Sequence, residues 1–164
     1  MIITIDGVAG AGKTTLARFM YEEYKDRASV YIVHMDDLYD GWSDPFGTSL
    51  SEKLKAIAAS HIEEKPVELS KYDWVNDGPG HRFIVPPVEL LIIEGVGSGQ
   101  SSIRGSVDTK IWIDLEPIVG LRRVLARDGY EIEEQMLGFL EQQHEHFIKE
   151  GTRAAADFHL NGLH

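Results

Sequence analysis

The stretch over residues 2–15 constrains the fold of this chain more than any other part of the sequence. It opens with an apolar, β-branched run, continues through a glycine-rich turn and ends in residues with helical spacing. Within it, Gly7, Gly12, Lys13 and Thr14 match the phosphate-binding loop pattern G-x-x-x-x-G-K-[ST]. Because the match lies between a strand and a helix, as the pattern requires, the sequence predicts a binding site for a nucleoside triphosphate.

Each part of this loop favours phosphate binding for a physical reason. Glycines let the backbone curl so that successive N–H groups point at phosphate oxygens. The helix that begins near Gly12 adds unpaired N–H groups and the positive end of its dipole. We expect Lys13 to reach the β- and γ-phosphates and the Thr14 hydroxyl to bind Mg²⁺. The residues predicted to contact the nucleotide here are Gly7, Ala9, Gly10, Ala11, Gly12, Lys13, Thr14 and Thr15.

Composition limits what else the chain can be. A length of 164 residues suggests one domain, and a net charge of −11 argues against a broad nucleic-acid surface, because phosphate backbones repel such a surface. The chain has no cysteine, so disulfides and thiolate metal sites are excluded. No signal peptide and no run of about 18 apolar residues is present, so we expect a cytoplasmic protein without a membrane partner. The sequence does not decide between a monomer and a homo-oligomer.

Strand-like and helix-like segments alternate along the chain. Short apolar, β-branched runs predict strands at residues 1–5, 30–35, 90–93, 110–113 and 158–160. Helical spacing predicts helices at residues 13–25, 51–63, 131–149 and from 117 onward. A turn at 77–80 between two extended stretches predicts a hairpin. This alternation indicates an α/β domain with a mostly parallel sheet, in which ligands bind at the carboxyl ends of the strands.

Acidic residues follow three of the predicted strands. Asp36 and Asp37 come directly after the second strand, where a carboxylate could orient an acceptor hydroxyl and take its proton, or could cap a short helix. Glu94 ends the third aliphatic strand, where it could hold Mg²⁺ or simply form a turn. Asp114 also ends a strand, but the glutamate and proline that follow favour a cap or a turn. We interpret Asp36 as the candidate base and Glu94 as the candidate metal ligand.

Three arginines lie on the helix predicted from residue 117. Arg123 and Arg127 are four residues apart and therefore share a face, and Arg122 adjoins them. Guanidinium groups near a transferring phosphoryl group would stabilise its charge. The alternative is a solvated basic face that pairs with the many acidic residues. We predict that Arg123 and Arg127, together with Lys13, are catalytic and that Arg122 contacts the nucleotide.

Four aromatic residues fall outside the periodic core positions. Tyr39, Trp42, Tyr72 and Trp74 lie in predicted loops or in the hairpin, where a ring could stack on a nucleobase or another flat acceptor. Each one alone is more often explained by ordinary packing, so only the cluster suggests an acceptor site.

Several separated motifs occur in the order typical of one family. Besides the phosphate loop, the chain has Asp-x-[Phe/Leu]-Tyr at 36–39, Tyr-Asp-[Phe/Trp] at 72–74, Glu-Gly at 94–95 and Arg-Arg-Val-x-x-Arg-Asp at 122–128. An Ala-Asp-x-x-x-x-Gly segment stands at 156–162. On these motifs the chain resembles the uridine kinase family of small phosphate-loop kinases, and the resemblance spans nearly the whole chain.

The resemblance implies a fold and an activity. The fold would be a three-layer α/β arrangement around five parallel strands in the order 2-3-1-4-5, as a single domain over 1–164. The activity would be ATP- and Mg²⁺-dependent phosphoryl transfer to a small acceptor, foremost a nucleoside such as uridine or cytidine. An excursion at about 36–87 would bind the acceptor, and a region at about 117–131 would form an arginine-bearing lid.

The resemblance also implies roles for single residues. Asp36 would take the proton of the acceptor hydroxyl, and Tyr39, Tyr72 and Trp74 would line the acceptor pocket. The chain departs from the family pattern in three places: no histidine follows Trp74, the segment after the arginine helix is short, and the loop after the second strand is unusual. In that loop, Asp44 could replace a ribose-binding acid. These departures concern the acceptor rather than phosphoryl transfer.

Three functions remain open on the sequence. The first is a nucleoside kinase, and the second is a kinase of the same architecture that acts on a nucleotide or a non-nucleoside alcohol. The third is a nucleotide-binding regulatory protein without an acceptor, which would bind ATP tightly and phosphorylate no small molecule. A GTPase is disfavoured, because the sequence contains no Asn-Lys-x-Asp motif for guanine recognition.

Overall fold

The computed structural model describes residues 1–163 and shows an α/β fold. In this part of the chain the strands are β1 (Ile2–Gly7), β2 (Val30–His34), β3 (Val67–Asp73), β4 (Gly78–Val85), β5 (Leu90–Glu94), β6 (Thr109–Asp114) and β7 (Phe158–Asn161). The helices are α1 (Lys13–Tyr24), α2 (Thr48–Ile62), α3 (Ser101–Arg104), α4 (Pro117–Asp128), α5 (Glu133–Glu150) and α6 (Thr152–Ala155), with 3₁₀ turns at Met35–Asp37 and Tyr130–Ile132. None of these helices is long and apolar enough to cross a membrane.

Five parallel strands form the main sheet, in the order β2-β5-β1-β6-β7. The parallel pairing confirms the predicted α/β class. The strand numbers in this order differ from those of the predicted order 2-3-1-4-5. The reason is that the hairpin strands β3 and β4, which form a separate two-stranded sheet, occupy two places in the chain order between β2 and β5.

The central strands are apolar towards both faces of the sheet. Ile2 and Leu91 pack into an apolar cluster that contains residues of α2, α4 and α5, whereas Ile3 and Ile92 pack into a second cluster that contains residues of α1. Neighbouring residues of a strand point to opposite faces, so the two clusters lie on opposite sides of the sheet. This burial on both sides accounts for the uninterrupted aliphatic sequence of β5.

The antiparallel pairing of β3 and β4 confirms the predicted hairpin, but the turn lies elsewhere. The turn covers residues 74–77, and the next residue already opens β4, whereas the sequence predicted a turn at 77–80. The Asp73 carboxylate explains the shift, because it accepts the N–H groups of Val75 and Asn76 at 2.9 and 3.0 Å. An aspartate that bonds the backbone two residues on is a strong turn former.

The carboxyl ends of the parallel strands meet along one edge of the sheet. β1 leads directly into the phosphate loop, and β2 and β5 end side by side, with His34 paired in register with Glu94. On its other side Glu94 is in register with Ile5 of β1. The strand order therefore brings the phosphate loop, the segment after β2 and the end of β5 to one place.

Candidate active site

The phosphate loop joins β1 to α1 and has a backbone conformation that favours glycine. Gly10 and Gly12 have φ angles of 78° and 98°. α1 begins at the next residue, close to the predicted start. The loop residues that line the adjoining cavity are Ala9, Gly10, Gly12, Lys13, Thr14 and Thr15.

Two predicted nucleotide contacts, Gly7 and Ala11, do not line this cavity. The Gly7 N–H donates to the Asp6 carboxylate at 2.7 Å, and a Cβ at Gly7 would lie 2.5 Å from the carbonyl oxygen of Ile113. The Ala11 N–H donates to the Val8 carbonyl at 3.1 Å, and its methyl group packs in the cluster beside α1. Both residues shape the loop without facing the cavity.

Lys13 is buried, with 7% of its surface exposed. Its Nζ donates to the Val8 carbonyl at 2.7 Å. Burial lowers the pKa of Lys13, while the negative charges of Asp6, Glu94 and Asp36 oppose that shift. The ammonium group is therefore held on a carbonyl of the phosphate loop, beside the cavity that Lys13 lines.

Thr14, Glu94 and His34 form a short chain of contacts where α1, β5 and β2 meet. The Thr14 hydroxyl donates to Glu94 Oε1 at 2.9 Å, and His34 Nδ1 lies 2.5 Å from the same oxygen. The contact with Glu94 raises the pKa of His34. His34 was not among the predicted site residues, and its only signal in the sequence is its place near the end of the second predicted strand, at residues 30–35.

The side chains at this point fit a magnesium ion. Mg²⁺ prefers oxygen ligands and keeps several waters, so a hydroxyl, a carboxylate and phosphate oxygens are a suitable set. Thr14 and Glu94 supply the hydroxyl and the carboxylate next to each other, and Glu94 is only 4% exposed. Within residues 1–163, no group of three or more histidine, aspartate or glutamate side chains could hold a metal by itself. A magnesium ion here would therefore depend on the phosphates of a nucleotide.

Asp36 lies on the 3₁₀ turn after β2 and lines the same cavity as Lys13. Asp36 is exposed to solvent by its surface area, although neighbouring protein atoms displace part of the water around its carboxylate. The loss of surrounding water and the nearby charge of Glu94 raise the pKa of Asp36, while the Lys13 ammonium opposes the shift. A carboxylate with a raised pKa is a stronger proton acceptor than an ordinary aspartate.

One cavity of about 520 Å³ connects the phosphate loop to an aromatic wall. The apolar side chains of that wall are Tyr39, Trp42, Trp74, Ile132, Met136 and Phe139. The rings of Trp42 and Trp74 meet edge to face, with centroids 5.1 Å apart, and Trp74 is 41% exposed. A flat, partly apolar molecule fits such a wall, because aromatic rings bind by contact over their faces and edges.

Two of the three predicted acceptor aromatics, Tyr39 and Trp74, line the cavity. The Tyr39 hydroxyl donates to the Val96 carbonyl at 2.6 Å, so only its ring is free to contact a ligand. Tyr72 does not line the cavity. Its hydroxyl donates to Asp77, and its ring packs edge-on against Trp74 with centroids 5.1 Å apart. Tyr72 therefore supports Trp74 from outside the cavity.

Three other candidates also lie outside the cavity lining. Asp44 is exposed, and its carboxylate lies against Gly47 just before α2, so it faces the start of that helix. Arg122 is exposed, because α4 turns the neighbouring arginine, and not this one, toward the cavity. Asp37 forms an ion pair with Lys71 of β3 at 2.9 Å.

The other two arginines line the cavity but are engaged differently. Arg123 Nη1 donates to the carbonyl groups of Gly10 and Gly162 at 3.2 and 2.7 Å, and so ties the phosphate loop to the segment after β7. Arg127 is exposed and pairs with Asp128 at 2.6 Å. Backbone carbonyls thus fix Arg123, whereas Arg127 stays on the solvent side of the cavity.

Asp6, which the sequence analysis did not single out, holds two loops together. Its buried carboxylate accepts the N–H groups of Gly7, Gly97 and Gly99 at 2.7, 3.0 and 2.9 Å. Burial raises the pKa of Asp6 to about 6 despite these hydrogen bonds. An acidic residue inside an otherwise apolar strand was the signal in the sequence. The carboxylate joins the phosphate loop to the glycine-rich segment that follows β5.

Helix α4 contacts the phosphate loop through two glycines. A Cβ at Gly10 would lie 2.7 Å from the Cα of Gly120, and a Cβ at Gly120 would lie within 3.0 Å of the Ala9 carbonyl oxygen. Real Cβ atoms do not approach backbone this closely, so the two backbones touch with no side chain between them. The position of α4 therefore defines one wall of the loop.

Comparisons with known proteins agree with this geometry. No protein-family model matches the chain. The uridine kinase of Geobacillus kaustophilus (strain HTA426) is 28% identical to it, over 96% of this chain and 83% of that protein. The uridine kinase of Lactobacillus helveticus (strain DPC 4571) is 27% identical, over 96% of this chain and 84% of that protein.

Solved structures show the same fold. A structure described as a possible uridine kinase from Bacillus stearothermophilus superposes with a TM-score of 0.69 at 20% identity, and covers 98% of this chain and 88% of that one. At that identity the superposition speaks for the fold alone. The chain is thus similar to curated uridine kinases over nearly its whole length, and together with the phosphate loop and the cavity beside it this similarity supports a kinase.

Proposed function

We propose that the protein transfers the γ-phosphoryl group of ATP, in the presence of Mg²⁺, to a hydroxyl of a nucleoside such as uridine or cytidine. The observation that carries this proposal is that Lys13, Asp36 and Arg127 line the same cavity as the aromatic side chains Tyr39, Trp42, Trp74 and Phe139. The relatives named uridine kinase support a nucleoside as the acceptor.

In this proposal Lys13 exchanges one oxygen partner for another. Without nucleotide its ammonium donates to the Val8 carbonyl, and with ATP it would donate to the β- and γ-phosphates. Arg127 would swing from Asp128 toward the γ-phosphoryl group, where a guanidinium stabilises charge spread over several oxygens. Arg123 would act on the phosphates through the loop carbonyl that it binds.

Thr14 and Glu94 would hold Mg²⁺ together with the phosphates. The ion, when bound, neutralises part of the phosphate charge. The contact of His34 with Glu94 would keep the carboxylate oriented toward Thr14.

Asp36 would act on the acceptor. Its carboxylate would accept a hydrogen bond from the acceptor hydroxyl and hold the oxygen in line with the γ-phosphorus. As the bond from that oxygen to phosphorus forms, the bond from phosphorus to the bridging oxygen breaks, and ADP leaves with the electron pair. The hydroxyl proton passes to Asp36, whose raised pKa suits it to accept the proton.

The same proposal assigns a role to each region of a single kinase domain over residues 1–164. The excursion at about 36–87 would bind the acceptor, since it contributes Tyr39, Trp42 and Trp74 to the cavity. The region at about 117–131 would act as the lid, since it carries the arginines that line the cavity. The two apolar clusters on opposite sides of the sheet support a three-layer arrangement.

A kinase of a non-nucleoside alcohol is a second candidate, and one observation favours it. Asp44, the predicted ribose-binding acid, faces the start of α2 and not the cavity, and Tyr72 also lies outside the cavity lining. Of the carboxylates that line the cavity, Glu94 contacts Thr14 and His34, and Asp128 pairs with Arg127, so that within residues 1–163 Asp36 is the one without an ion-pair partner. A sugar with several hydroxyls would leave more of them without a hydrogen-bond partner here than an aromatic alcohol with a single hydroxyl.

The proposed function is tested by ADP release and product mass. The protein is incubated with ATP and Mg²⁺ and with a panel of nucleosides, nucleotides and aromatic alcohols, and a Lys13→Met variant serves as the inactive control. A nucleoside monophosphate as product supports the first candidate, and a phosphorylated alcohol supports the second. Tight ATP binding without any phosphorylated product would overturn both and leave a regulatory nucleotide-binding protein.

Truncation of Trp74 tests the acceptor wall. We expect Trp74→Ala to raise the KM for the acceptor about 5- to 150-fold, because an aromatic contact with a base contributes about 1–3 kcal/mol. The KM for ATP should stay within about twofold, since Trp74 lies on the hairpin and not on the phosphate loop. Steady-state kinetics with each substrate varied in turn measure both values. Val75→Ala, at the exposed neighbouring position, is the control, and an unchanged acceptor KM in Trp74→Ala would remove this residue from the acceptor site.

The pH dependence of turnover tests Asp36 as the base. Its pKa is raised above the ordinary 3.8, so protonation at falling pH removes the proton acceptor earlier than it would for an exposed aspartate. We expect kcat/KM for the acceptor to fall about tenfold per pH unit on the acid side, with a midpoint above the ordinary value. A pH–rate profile measures this limb. The limb should be absent from the residual activity of Asp36→Asn, and its persistence there would assign it to another group.

A further inference from the structure

The peptide unit between Val8 and Ala9 is held on both of its polar sides. Its carbonyl accepts two hydrogen bonds, from Lys13 Nζ at 2.7 Å and from the Ala11 N–H at 3.1 Å. Its N–H donates to Gln143 Oε1 at 3.1 Å. Because a peptide unit is planar, a group that fixes the direction of the N–H also fixes the direction of the carbonyl.

Gln143 is well placed to fix that direction. It lies on α5, far from the phosphate loop in sequence, and only 2% of its surface is exposed. The same helix is anchored in the larger apolar cluster by Met136 and Phe139, and the Glu150 carboxylate at its end accepts the Ser101 N–H at 2.6 Å. The glutamine oxygen is therefore presented to the loop by a helix that is held at several points.

We propose that Gln143 is a positioning residue for phosphoryl transfer. It fixes the plane of the peptide between Val8 and Ala9, and through the carbonyl of that peptide it sets the resting position of the Lys13 ammonium. The inference rests on the proposed use of ATP, but it concerns a residue that lies outside the lining of the cavity. Gln143 acts on the nucleotide only through the loop.

Gln143→Met is the variant that isolates this role. Methionine has nearly the same length and fills the same space, but it offers no comparable acceptor to the Ala9 N–H. A buried N–H without a partner destabilises the loop conformation that requires it. We expect the dissociation constant for ATP with Mg²⁺ to rise about 5- to 30-fold, and the KM for the acceptor to stay within about twofold.

The test combines nucleotide titration with hydrogen exchange at single amides. Titration of ATP with Mg²⁺ is carried out on the unaltered protein, on Gln143→Met and on Gln135→Met, which makes the same exchange at an exposed position of α5. Hydrogen exchange of the Ala9 amide, followed by NMR, reads the proposed hydrogen bond directly. We expect this amide to be protected in the unaltered protein and in Gln135→Met, and to lose protection in Gln143→Met.

The outcomes separate this inference from the proposed function. If the unaltered protein does not bind ATP, the proposed function fails. If it binds ATP and Gln143→Met binds it equally well, or keeps the Ala9 amide protected, the positioning role is wrong. A loss of unfolding free energy with unchanged ATP affinity would show a purely structural role and would also overturn the inference. Should the methionine variant not fold, Gln143→Asn, which keeps the amide but is one methylene shorter, takes its place in the same measurements.

Discussion

Replacement of Asp36 by asparagine is expected to lower kcat by about 10²- to 10⁴-fold, the usual contribution of a positioned general base. Asparagine has the same shape and still accepts a hydrogen bond, but it cannot take the proton of the acceptor hydroxyl. The affinity for ATP should change by no more than about threefold, because Lys13 and Thr14, which would hold the phosphates, remain in place. Single-turnover kinetics measure the chemical step, and nucleotide titration measures the affinity.

The neighbouring residue offers a matched control for this prediction. Asp37→Asn removes the same charge one position along the chain, but Asp37 pairs with Lys71 and does not line the cavity. We expect its kcat to stay within about threefold of the unaltered value, since surface ion pairs contribute little. Equal losses of kcat in the two variants would indicate that removal of a negative charge near the cavity, and not loss of the base, lowers the rate. Full activity in Asp36→Asn would remove the base from the mechanism.

The features that the sequence predicts well are those set by local pattern and by sheet topology. Lys13 and Thr14 lie where the phosphate-loop pattern puts them, because the pattern itself specifies a strand, a turn and a helix. Glu94 lies beside Thr14 because parallel strands end at one edge of a sheet, so that residues far apart in sequence become neighbours. These two rules require no knowledge of side-chain packing.

The features that the sequence predicts poorly depend on where side chains point after packing. Tyr72 and Trp74 are two residues apart on or beside β3, yet only Trp74 lines the cavity, because Tyr72 is engaged by Asp77. Asp6 and Gln143 are ordinary polar residues in the sequence. Their partners lie in the loops after β1 and β5 and become adjacent only in the folded chain. Periodicity and spacing contain no information about such contacts.

Replacement of Gly120 by alanine is expected to lower the free energy of unfolding by about 3 kcal/mol and the affinity for ATP by about 100-fold. In an ordinary helix this change would stabilise the folded protein, because alanine loses less backbone entropy than glycine on folding. Here the added methyl group would lie within 3.0 Å of the Ala9 carbonyl oxygen, and neither backbone can yield as a flexible side chain does. Chemical denaturation and nucleotide titration measure the two effects.

Gly138→Ala in α5 is the matched control, since it makes the same exchange in a helix where a Cβ would meet nothing within 4 Å. We expect it to raise the free energy of unfolding by about 0.5–1 kcal/mol and to leave ATP binding unchanged. Opposite signs in the two variants would show that the contact with the loop, and not helix propensity, decides the result at Gly120. If Gly120→Ala lowers the free energy of unfolding but keeps its ATP affinity, then α4 shifts to relieve the contact and the phosphate loop keeps its conformation. In that case the shape of the phosphate loop is set by the hydrogen bonds that its N–H groups donate to the side chains of Asp6 and Gln143, and not by the helix packed against it.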